Sequence, residues 1–108
     1  MSTRSKLRKA IDIQGKSVDI KWIKNLKSED GEACFGTYSY AGQTIEMALG
    51  QPVDLAESTM LHEVLEALLR ELRIRSLKHE DLDRLESGLY AVLTGAGVDL
   101  SPLVKEKA

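Results

Sequence analysis

Five residues in this chain could do chemistry together. His62, Glu63 and Glu66 stand in the run His62-Glu63-Val64-Leu65-Glu66, and His79, the other of the two histidines, precedes Glu86 by seven residues. With about 100° of turn per residue, a helix places His62 above Glu66 and rotates Glu63 about 100° away. H-E-x-x-H helices use this geometry to aim two ligands at a metal and the intervening Glu at its bound water. Here the second ligand is a carboxylate, which zinc accepts as it accepts imidazole nitrogen. Glu86 falls among Leu82, Leu89 and Leu93 on a helical wheel, and a buried carboxylate needs a hydrogen bond, an ion pair or a metal. His62, Glu66, His79 and Glu86 are therefore the candidate metal ligands, with Glu63 the candidate base. A His/Glu cluster that satisfies itself without metal is the competing reading.

Two helices must position these groups. After Gly50-Gln51-Pro52 the apolar residues Leu61, Val64, Leu65, Leu68 and Leu72 recur at three and four, which predicts a helix from an Asp54 N-cap, with Glu57 three residues on, to about Leu72. A second helix is predicted from about Glu80 to Leu93, with Leu82, Leu85, Leu89, Val92 and Leu93 inward, ended by Gly95 and Gly97. The short link between them sets the helices antiparallel and lets the four polar residues converge.

Before Pro52 the period is two. Ile11 and Ile13, then Val18, Ile20 and Trp22, alternate with polar residues around a turn at Gly15-Lys16. Cys34–Tyr40 and Thr44–Leu49 flank Ala41-Gly42, where Gly42 could supply a positive φ. Two β-hairpins and a helical pair make an α+β fold with a small antiparallel sheet. The 108 residues suffice for one domain, with residues 1–9 and 101–108 expected as loose ends.

The chain resembles small phage and prophage proteins related to the zincin-like metallopeptidases. The resemblance rests on Thr59-Met-Leu-His-Glu-Val-Leu-Glu-Ala-Leu-Leu-Arg-Glu-Leu, on His79 and on Leu85-Glu-Ser-Gly-Leu-Tyr-Ala-Val-Leu, and spans roughly residues 44–94. It implies a small sheet against two helices with the metal motif on the first. It makes His62 a ligand, Glu63 the general base, and His79 or Glu86 a ligand from the second helix, with Zn2+ as cofactor and peptide-bond hydrolysis as the activity. Glu66 stands where peptidases of this superfamily have their second histidine. Its negative charge lowers the acidity of a bound metal, so hydrolysis should be slow. A noncatalytic interaction module, built on the same polar cluster, is the alternative from another class.

Composition narrows the remaining classes. Hydrophobic residues at 43% and charged residues at 30% are ordinary globular usage. The lack of a long apolar run argues against a membrane span or secretory signal and for a cytoplasmic chain. Residues 1–27 carry eight Lys/Arg against two Asp, and residues 28–108 seven against fifteen Asp/Glu. We read the basic segment as solvated strand edges rather than a nucleic-acid surface, since no binding motif accompanies it, and expect an unidentified protein or peptide partner. Cys34 reads as a small buried hydrophobe, and Trp22, Tyr38 and Tyr40 as core or sheet-face residues.

Overall fold

The computed structural model describes residues 6–106. In chain order these form β1 (Lys6–Leu7), β2 (Ala10–Ile13), β3 (Lys16–Ile23), β4 (Gly36–Ser39), β5 (Thr44–Ala48), α1 (Val53–Glu71), α2 (His79–Gly95), a 3-10 turn at Ser101–Leu103 and β6 (Lys105–Glu106). The α+β architecture of a small sheet and two helices is the one the periodicity predicts.

The main sheet has the order β2-β3-β5-β4. Its two hairpins are antiparallel, but they meet through a parallel β3–β5 pair, with Ile20 opposite Ile45 and Trp22 opposite Met47, so the sheet is mixed rather than antiparallel throughout. Burial decides that junction. Ile45 and Met47 are fully enclosed, whereas Gly36-Thr37-Tyr38-Ser39 has little apolar surface to bury and takes the edge. The hairpin turns also differ in detail from the sequence reading. Gln14 and Gly15 both take positive φ between the closing pair Ile13 and Lys16, as a type I′ turn demands, so the turn lies one residue before Gly15-Lys16. In the second hairpin Gln43, and not Gly42, adopts the left-handed conformation.

The core lies between the sheet and α1. Val18, Ile20, Ile45 and Met47 face Ala56, Met60 and Ala67, with Val64 and Leu68 packed at the margin. Gly36 lets α1 come down on β4. A Cβ there would lie 2.7 Å from Thr59 Cγ2, 3.2 Å from Glu63 Cγ and 3.3 Å from Met47 Sδ. Gly36→Ala is therefore expected to lower stability by about 1–3 kcal/mol, because the helix must move away from the edge strand. Urea unfolding of the two proteins measures this, and equal midpoints would mean that the packing yields freely.

Three further expectations need correction. Helix α1 starts at Val53 behind Pro52 with no side-chain cap, and Asp54 sits inside the first turn, its Oδ1 accepting from Leu55 N–H. Helix α2 packs chiefly on α1 and so covers one strip of its apolar residues. Leu82 is buried, but Leu85 and Val92, assigned inward, are 50% and 67% exposed. The expected loose ends are tied where they are described. β1 pairs with β6, Arg8 N–H donates to Val104 C=O at 2.7 Å, and Val104 enters the core. Burial of Val104 and packing of Leu103 against the core give residues 101–106 a reason to stay docked. Residues 1–5 and 107–108 fall outside the described set.

Candidate metal site between the two helices

Helix α1 presents Ser58, His62 and Glu66 to α2, and α2 answers with His79, Asp83 and Glu86. The i, i+4 pairs His62/Glu66 and His79/Asp83 lie on facing sides, and together they close a ring of four. His62 Nε2 lies 3.3 Å from Glu66 Oε1 and its Nδ1 lies 3.2 Å from Asp83 Oδ1. His79 Nδ1 lies 3.5 Å from Glu66 Oε1 and its Nε2 lies 3.7 Å from Asp83 Oδ2. Each histidine thus contacts both acids, and the two rings meet edge to face at 5.2 Å. The His62 side chain is 12% exposed and that of His79 is 70% exposed, so the ring of groups runs from the protein interior to its surface.

Glu86 is turned into the helix interface as the sequence reading has it, its side chain 12% exposed, but it stands outside both donor groups. Its Oε2 accepts a hydrogen bond from Ser58 O–H at 2.8 Å, and its Oε1 stays 3.9 Å from His62 Nδ1. Two groups of donors lie within 4.8 Å of one another, His62 with His79 and Asp83, and His62 with Glu63 and Glu66; Glu86 belongs to neither. Asp83 is the residue that sequence reasoning missed. The repeat of His-x-x-x-acid on both helices was the available signal, but exposed Asp on a helix is so common that the spacing alone carried little weight.

Glu63 is not swung away from the ligand pair. Because α1 lies on β4, the side chain is pressed between helix and sheet, 5% exposed, with Oε1 lacking any hydrogen-bond partner among the described residues. Burial first, and then the negative charge of Glu66, pushes its pKa up to about 8, against the pull of His62. The hydrogen bond to Glu66 raises the pKa of His62 in spite of burial, and the same bond lowers that of Glu66. Without metal, burial favours the protonated form of Glu63, and the His62–Glu66 hydrogen bond favours a charged imidazole beside an ionised carboxylate. Cys34 is half-buried, and burial first, then the nearby carboxylates Glu63 and Glu46, raise its thiol pKa, the direction opposite to that of an activated thiol.

The donor set suits a divalent cation. Ligand atoms around a tetrahedral zinc with bonds of about 2.0–2.1 Å stand roughly 3.3 Å apart, close to the His62 Nε2–Glu66 spacing of 3.3 Å and the His62 Nδ1–Asp83 spacing of 3.2 Å, which belong to two alternative groups because each uses a different ring nitrogen of His62. A cleft of about 670 Å³ opens over the cluster, walled by the edge strand from Phe35 to Tyr38, with His62, Glu63, Glu66, His79 and Asp83 along its lining. Comparisons with protein families, with curated proteins and with solved structures find nothing that matches this chain. Among the described residues, no helix is long and apolar enough to cross a membrane.

Proposed function

We propose that this chain binds one divalent cation, zinc by preference, between α1 and α2, as a zincin-like protein of the phage and prophage kind, and that slow peptide hydrolysis is the reaction its residues suit. The observation that carries the reading is the ring of two imidazoles and two carboxylates, set beside a buried carboxyl oxygen with no partner. His62 would hold the ion either with His79 and Asp83 or with Glu66 and Glu63, according to which ring nitrogen it offers. Bound zinc supplies Lewis-acid polarisation of a carbonyl and a more acidic water. A positive charge beside Glu63 favours its ionised form, and Glu63 Oε1 is then the atom able to take a proton from water and later return it. The free edge of β4, hydrogen-bonded to β5 alone, offers main-chain N–H and C=O groups to an extended peptide lying along the cleft.

A specific observation favours a second reading. Both ring nitrogens of His62 already meet carboxylates, so protons alone can satisfy the cluster and make it a brace between the helices of an interaction module. Titration of chelator-treated, untagged protein with zinc separates the two. The expected result is one zinc per chain with sub-micromolar affinity, from three protein ligands and one position left to water. Failure to bind zinc, manganese or cobalt would leave the brace as the better account.

A further inference from the structure

A second groove, of about 1090 Å³, begins where the metal site ends. Glu66 and His79 line both cavities. From there the groove runs between the β4–β5 turn at Tyr40 and the end of α1, where Arg70, Arg73 and Arg75 line its wall. The Arg70 guanidinium lies over the Tyr40 ring at 4.7 Å. Among the described residues none of these three arginines is paired with a carboxylate, although the chain as a whole is acidic. Arg73 is also expensive where it stands. Arg73 N–H donates to Arg70 C=O and Ile74 N–H to Leu69 C=O, which closes α1 in a Schellman motif with Arg73 in the left-handed position at φ +57°. Glycine is the usual occupant there, and at the end of α2 the equivalent position is held by Gly97. Helix termination therefore does not account for an arginine.

From these features we propose that the groove is a subsite for acidic side chains of a peptide substrate, seated on Arg70, Arg73 and Arg75, with the peptide running on toward His79 and Glu66. The guanidinium fork matches a carboxylate in two hydrogen bonds. Charge fixes the direction. Beyond the arginines the path meets Glu66, Asp83, Glu63 and Glu86, so the occupant carries its acids at the arginine end and not over the ring of histidines and acids. A continuous phosphate backbone cannot meet that change of sign, whereas a peptide can. Calling the occupant a substrate rests on the metal-site reading, but the binding itself needs no metal and is measured without it.

The test is fluorescence anisotropy in the presence of chelator, using an end-blocked, labelled peptide with two adjacent Glu residues and its Gln counterpart. The Glu peptide is expected to bind roughly tenfold tighter, as one charge-assisted bidentate contact allows, and the preference should shrink as salt is raised. Arg73→Gly should remove most of the preference without lowering the melting temperature, since glycine fits the backbone there, and Arg75→Gln should reduce it independently. Equal binding of the two peptides overturns the proposal, as does a preference unchanged in the Arg73→Gly, Arg75→Gln double variant. Tighter binding of a single-stranded oligonucleotide than of the Glu peptide at the same salt also overturns it. If zinc binding fails while the Glu preference and its arginine dependence persist, the metal reading falls and the subsite stands.

Discussion

His62→Ala should abolish stoichiometric zinc binding, with an expected loss of roughly 100-fold or more in affinity, because His62 is the one residue common to both groups of donors between the helices. Its imidazole is also the buried member of the pair, so water cannot easily stand in for it. Substitutions on α2 should then grade the site. Asp83→Asn removes a carboxylate that contacts both histidines and should cost roughly 10- to 100-fold. Glu86→Gln leaves an acceptor for Ser58 O–H and should cost less than Asp83→Asn. Calorimetric titration of the three variants measures this order. Binding by His62→Ala at wild-type affinity would show that the histidine is a structural residue, and a larger loss in Glu86→Gln than in Asp83→Asn would return Glu86 to the ligand set.

That grading differs from the one the sequence supports, and the difference is instructive about what a sequence can carry. Period two before Pro52 and period three to four after it are local signals. They sufficed for the two hairpins, the two helices and the convergence of His62, Glu66 and His79 between them. The parallel junction of β3 with β5 is not local. It follows from which strand can bury Ile45 and Met47, a comparison that needs the whole sheet. The exposure of Leu85 and Val92 has the same origin, since a helical wheel shows which residues share a face but not how much of that face a neighbour covers. Asp83 was lost to the opposite error. The wheel made Glu86 conspicuous as an acid among leucines, and Asp83 ordinary, while the packing of α2 turns Asp83 onto both histidines and leaves Glu86 to Ser58. Pairing of Lys105–Glu106 with β1 is not legible in a segment too short to show a period of its own.

The largest effect on stability should come from Glu63→Gln, and its sign depends on pH. A carboxyl whose folded pKa is about 8, against 4.5 for the free group, keeps its proton in the native protein over a range where the unfolded chain has lost it. The native state therefore binds more protons than the unfolded state between those values, and stability falls as pH rises through that window. At about 1.4 kcal/mol for each unit of difference the ceiling is about 5 kcal/mol, and since Glu63 shares its titration with Glu66 the loss assigned to it by pH 9 is on the order of 2–4 kcal/mol. His62, also raised, adds to the loss in the same direction, because its folded-state charge disappears as pH climbs through its pKa. Glu66, which is lowered, acts oppositely and loses its contribution only as pH falls into the acid range. Metal-free protein should consequently be most stable near pH 5 and weaken steadily toward pH 9. A Gln at position 63 is neutral throughout, so Glu63→Gln should match the wild type near pH 5 and exceed it at pH 9, the remaining slope belonging to His62. Zinc reverses the advantage. At pH 7 the wild type must release the Glu63 proton as the cation binds, which calorimetry in buffers of different ionisation enthalpy reads as one proton more than the variant releases. Urea unfolding at pH 5, 7 and 9 with chelator present gives the metal-free half of the test. A wild type as stable at pH 9 as at pH 5, or a Glu63→Gln protein weaker than wild type at pH 9, would show that the Glu63 carboxyl reaches water and is not held neutral between helix and sheet.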